Sequence, residues 1–168
     1  MRFLTSILVA AGLLTGHVAA AQTCASGSDH LAFDVAGLKS QLMVTALTCN
    51  EQDKYHAISV KERPDVVEHD KNLNSYFSRA HGRRARTQFD DYITQLANSQ
   101  SQYGLRRGTL FCDENKGIFD EVMALKGGSE LPDFAAGKTL SQPVSLTTCG
   151  PEAEKPAAPA RRRTAARR

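Results

Sequence analysis

The chain has 168 residues, 21 Lys and Arg against 18 Asp and Glu, four Cys and no Trp, a length that suits one folded domain. Its net charge of +3 divides unevenly: Arg2 carries one positive charge, Pro151 to Arg168 holds six basic residues against Glu152 and Glu154, and Gln22 to Gly150 is left at −2. A mildly acidic body argues against dedicated nucleic-acid binding, which needs a basic face on the fold itself.

Residues 1–21 read as a secretory signal peptide. Arg2 precedes an apolar run from Phe3 to Leu14, and small residues lead to Ala19-Ala20-Ala21 before Gln22. The run is shorter than the roughly 20 apolar residues of a membrane span, so no transmembrane anchor is expected. The predicted location is periplasmic or extracellular, after cleavage near Ala21.

Cys24, Cys49, Cys112 and Cys149 all follow that point. An even count in an oxidising compartment points to two disulfides, and four cysteines allow three pairings. Cys49 and Cys112 fall inside helical patterns, where a bridge pins one helix to another, whereas Cys24 and Cys149 flank the domain. We therefore expect Cys49 with Cys112 and Cys24 with Cys149. Lipidation of Cys24 is the competing use of that thiol, but Gln22 and Thr23 stand where small residues are expected. No C-x-x-C motif for redox work or zinc is present, nor C-x-x-C-H for haem.

The first helical pattern joins Val35, Leu38, Leu42, Ala46 and Cys49 in one stripe, with Val44, Leu47, Tyr55 and Ile58 beside it. It predicts one helix from Asp34, as N-cap, to about Glu62, because Pro64 disfavours helical Arg63. Pro64 then opens a second helix, with Val66, Leu73, Phe77 and Ala80 inward, ending at Gly82. A third carries Phe89, Tyr92, Ile93, Leu96 and Ala97 as far as Tyr103. Leu105, Gly108, Cys112, Phe119 and Val122 mark a fourth, ending at Gly127-Gly128. Gly104 either separates the last two or bends one helix, and small residues at Gly104 and Gly108 would let a neighbour approach. Beyond Gly128, Pro132, Gly137 and Pro143 predict an irregular strap returning Cys149 to the body.

The fold class is therefore all-α: a disulfide-stapled bundle of about four helices over 22–150, with a C-terminal strap and a disordered Pro/Ala/Arg-rich tail over 151–168. The tail's Arg161, Arg162, Arg163, Arg167 and Arg168 suit an anionic envelope surface or another polyanion; a merely solubilising end is the alternative.

Leu38-Lys39-Ser40-Gln41-Leu42-Met43-Val44 with Leu47-Thr48-Cys49, and later Leu96-Ala97-Asn98, Gly104-Leu105 and Phe111-Cys112, resembles small exported bacterial four-cysteine helical proteins of unassigned function. The likeness spans about Cys24 to Cys149. It implies bacterial export and a four-cysteine helical body, and it transfers no site residue.

Candidate chemistry is sparse. Gly137-Lys138-Thr139 matches the end of a phosphate loop, yet Pro132 occupies the position of its first glycine. No two of His30, His56, His69 and His81 stand three or four residues apart, as a helical zinc pair requires. Asp65, Glu68 and His69 suggest at most a weak metal face, and Met43 as a haem ligand competes with ordinary core packing. The neighbouring carboxylates Asp90-Asp91, Asp113-Glu114 and Asp120-Glu121 point apart on a helix. Neither a cofactor nor a catalytic set is expected. One anomaly remains, since the core stripe continues past Cys49 into Asp53 and His56. Either the helix leaves the bundle there or it lines a polar cleft, which makes Asp53 and His56 the candidate ligand residues.

These features predict a non-enzymatic exported accessory protein whose tail touches anionic surfaces. A small-ligand or metal-binding module is the alternative, and a hydrolase without a familiar motif comes third.

Overall fold

The computed structural model describes residues 24–127 and 130–150. The signal-peptide and basic-tail expectations, including all five tail arginines, lie outside the described residues. The helices in order are α1 (Gly27–Cys49), α2 (Gln52–Lys61), α3 (Arg63–His81), α4 (Ala85–Arg107), α5 (Leu110–Asn115), α6 (Gly117–Ala124) and α7 (Glu130–Ala136). A single 3₁₀ turn, Gly82–Arg84, joins α3 to α4. The described residues hold no strand; an isolated parallel bridge pairs Ala25 with Thr148. None of the described helices is long and apolar enough to cross a membrane.

α1 is the hub, packed by α2, α3, α4, α5 and α7. Its buried residues lie all round the axis, from Ala32, Phe33 and Val35 to Val44, Thr45 and Cys49, as expected of a helix enclosed by others. Two clusters share it. Towards its start, Phe33 and Ala36 meet Leu73, Phe77, Tyr92 and Leu96 from α3 and α4. The other cluster takes Val35, Leu38, Leu42 and Ala46 with Ile58, Phe119, Val122, Leu131 and Ala135 from α2, α6 and α7.

The all-α disulfide-stapled bundle is present, and both bridges pair as expected. Cys49–Cys112 ties the end of α1 to α5, and Cys24–Cys149 joins the two ends of the described body. With sequence separations of 63 and 125, loop-closure entropy alone assigns each a stabilisation on the order of 4 to 5 kcal/mol.

Boundaries differ from the expected ones. α1 begins seven residues before Asp34, because Ser26 caps it: the Ser26 hydroxyl accepts the Asp29 N–H (3.3 Å) and Asp29 Oδ2 accepts the Ser26 N–H (2.8 Å). It ends at Asn50, which takes φ 59°, a left-handed conformation that asparagine tolerates. The expected single helix is therefore two, and α2 sets off in a new direction. Gly104 lies inside α4, close under the Phe111 ring, as a small contact residue should. Gly108 has φ 57° and a Cβ there would meet nothing, so it terminates α4 and does not serve as a contact. The fourth pattern divides into α5 and α6, and the strap contains α7, with Pro132 in the first turn where no N–H is required.

Beyond α7 the strap lies on α1. Gln142 Nε2 donates to the Phe33 carbonyl (2.9 Å), and its Oε1 accepts the Tyr92 hydroxyl (3.0 Å). Gly37 permits this approach, since a Cβ at that position would stand 2.5 Å from Gln142 Nε2.

Candidate functional site

The break at Asn50 turns α2 away from the axis of α1, and the corner at Glu62 returns the chain as α3. A groove of about 470 Å³ opens between the three helices, within the roughly 300 to 1,000 Å³ range of small-molecule sites. Its walls are apolar: Val35, Leu38 and Leu42 from α1, Ile58 from α2, Val66 from α3 and Leu131 from α7. Val60 and Val67 extend that surface and are 64% and 44% exposed. Lys39 and Asp70 bridge α1 to α3 at its edge with a 3.0 Å ion pair. Ser59 is also at the lining, its hydroxyl donating to the Tyr55 carbonyl (2.8 Å).

Glu62 stands apart from these groups. It lines the groove, it is 1% exposed, and neither carboxylate oxygen receives a hydrogen bond. The nearest cation is Lys61, with Nζ 3.1 Å from Oε1. That ammonium donates instead to the carbonyls of Val122 (3.1 Å), Met123 (2.8 Å) and Leu125 (2.6 Å) at the end of α6. An ammonium has three N–H groups, so Lys61 offsets the charge of Glu62 without hydrogen-bonding it. The geometry follows from chain order: Lys61 closes α2 and reaches α6, which directs Glu62 back towards the α2–α3 corner.

His56 also lines this groove and its side is exposed. Asp53 is exposed on α2 and is not part of the lining. The two candidate ligand residues are thus separated, because the helix break at Asn50 takes both off the core stripe. Of the two alternatives for this stretch, a helix leaving the bundle or a polar cleft, the structure has α1 ending at Asn50, and the groove beside α2 is largely apolar with one buried acceptor. In the sequence, Glu62 marks only the end of a helix. The visible signal was the run Lys61-Glu62-Arg63 immediately before Pro64, but its burial depends on where α6 and α1 come to lie.

The other cavities differ in kind. One of about 450 Å³ is lined by Gln41, Tyr103, Glu114, Asn115, Glu121 and Lys138 among others. Several of its polar groups have partners: Gln41 donates to Asn115 (3.2 Å), Glu114 pairs with Arg107, and Glu121 with Lys138. Arg107 holds the Glu114 carboxyl below the usual range. A smaller cavity of about 130 Å³ shares Lys39, Tyr55 and Asp70 with the main groove.

The remaining motifs have structural places. Gly137-Lys138-Thr139 follows a helix, with Lys138 paired to Glu121 and lying 4.6 Å from the Phe134 ring centroid; among the described residues there is no strand before it, as a phosphate loop requires. Among the described residues no three His, Cys, Asp or Glu side chains come together as a metal site, so Asp65, Glu68 and His69 do not form one. Met43 is half-buried, and all four cysteines are bridged.

The resemblance to small exported bacterial proteins rests on the residues that carry it. Comparison with protein-family models, with curated proteins and with solved structures finds no match to this chain.

Proposed function

We propose that the mature chain is a non-enzymatic binding module of an oxidising, extracytosolic compartment, taking a small apolar ligand into the α1–α2–α3 groove. The observation that carries this reading is the groove itself: apolar walls, exposed Val60 and Val67 at its side, and a buried carboxylate without a hydrogen-bond donor. The two disulfides support the compartment, since such bonds persist where thiols are not kept reduced. They also hold the scaffold while one side stays open.

A neutral, fluorescent naphthylamine dye tests the groove. Oxidised wild-type protein should bind it and brighten it, and Val66→Trp, which fills the cavity, should abolish the signal while keeping the helical circular dichroism. Equal dye binding by both proteins contradicts the proposal.

A second reading concerns the tail, where five arginines fall within the last eight residues. The tail would hold the module against an anionic envelope surface, by contacts that weaken with salt. Removing the residues after Gly150 should eliminate binding to anionic vesicles at low salt. Retained binding removes that part of the proposal.

A further inference from the structure

Glu62 indicates which head group the groove accepts, an inference that rests on the groove being the ligand site. Buried carboxylates are ordinarily hydrogen-bonded, because a charged acceptor without a donor loses its hydration and gains nothing in return. Here both oxygens lack a donor, and Lys61, 3.1 Å away, has committed its N–H groups to three carbonyls of the α6 terminus. Charge is offset at this corner and hydrogen bonding is not. Lys39, the other lining ammonium, is held by Asp70, and Arg63 is exposed at the mouth, where solvent screens it.

We propose that the groove binds a linear apolar molecule bearing a protonated primary amine, with the ammonium donating to the Glu62 carboxylate and the chain lying against Val35, Leu38, Leu42 and Val66. A primary ammonium supplies several donors in charge-assisted bonds, which are roughly twice as strong as neutral ones. A carboxylate head would bring like charge to Glu62 and leave both oxygens without donors. An alcohol would supply one weaker bond.

Calorimetric titration of the oxidised full-length chain at neutral pH with octylamine, octanol and octanoate tests this directly. Octylamine should bind at least tenfold more tightly than either of the others. Glu62→Gln should weaken octylamine at least tenfold and leave octanol within about twofold. Octanol or octanoate binding as tightly as octylamine overturns the inference, as does unchanged octylamine affinity in a folded Glu62→Gln protein. If that variant does not fold, the ranking of the three ligands on the wild type decides alone. Binding that is real but indifferent to the head group leaves the groove standing and removes the amine. Failure of all three ligands to bind removes both.

Discussion

Two faces of α1 are finished differently. On one the space is filled: Phe33 has ring centroids of Tyr76, Phe77 and Tyr92 at 5.1, 5.9 and 4.9 Å, and the strap covers them through Gln142. The buried carboxylate on this face, Asp29, is fully engaged. Arg79 Nη2 donates to both its oxygens (2.8 and 2.7 Å), and Ser26 adds its N–H and hydroxyl. On the other face, α2 and α3 leave a groove, and the buried carboxylate there, Glu62, receives no hydrogen bond. Two buried acids on one scaffold, one satisfied and one not, separate the acid that holds the fold from the one assigned to a ligand in our proposal.

The strongest way to break this comparison is Phe33→Ala. Deleting a ring that is 3% exposed and in contact with three others should cost about 3 to 5 kcal/mol in urea unfolding. Val66→Ala at the half-buried groove wall should cost about 1 kcal/mol, near the centre of the distribution for point mutants. Equal losses would mean that the two faces are equally packed.

Asp29→Asn comes next, at about 1.5 to 3 kcal/mol, the range for hydrogen bonds to a charged group. Burial raises the Asp29 carboxyl, but the hydrogen bonds from Arg79 and from the Ser26 N–H and hydroxyl outweigh it, leaving the folded pKa below 3.8. A depressed carboxylate contributes its full stability above the unfolded value and loses it as pH falls through the folded one. The wild type should therefore lose stability below about pH 4, and Asp29→Asn should flatten that part of the profile. Asp34 has the opposite sign, because burial raises its pKa; its contribution is complete in acid and declines as pH rises. Asp34→Asn should make the acid loss steeper, and an unchanged slope would contradict that assignment.

Gly37→Ala is smaller. Alanine improves helix propensity by about 1 kcal/mol, yet its Cβ would displace Gln142, whose bonds to Phe33 and Tyr92 fasten the strap. A net loss of about 1 kcal/mol is expected from the overpacking, with faster amide exchange confined to 140–148. A stabilised protein would show that the strap does not depend on this approach. His56→Ala is the smallest: an exposed side chain away from such contacts should change stability by less than about 0.5 kcal/mol.

Much of the filled face could be read from residue order. Phe77, Tyr92 and Leu96 recur at helical spacing, Pro64 opens α3, and the positions of the cysteines selected the right pairing. The groove was harder to see. Asp53 and His56 continue an apolar stripe in residue order alone, because Asn50 ends the helix in a left-handed turn and no stripe runs past it. α7 is too short for periodicity to reveal, and Pro132 reads as a breaker unless its place in a first turn is known. Gly37 carried a signal in its position within the body of a strong helical pattern, where glycine has a cost and so needs a neighbour to explain it. The burial of Glu62 depends on Lys61 reaching α6, a contact across more than sixty residues of sequence.

The division between a filled face and a grooved one, proposed to take the ligand, is tested most directly by following backbone amide shifts of the oxidised protein as octylamine is added. Shifts concentrated at Ile58, Glu62, Val66 and Leu42, with Phe33, Phe77 and Tyr92 unmoved, are the predicted result. Shifts centred on the aromatic face, or none at saturating ligand, would contradict the account.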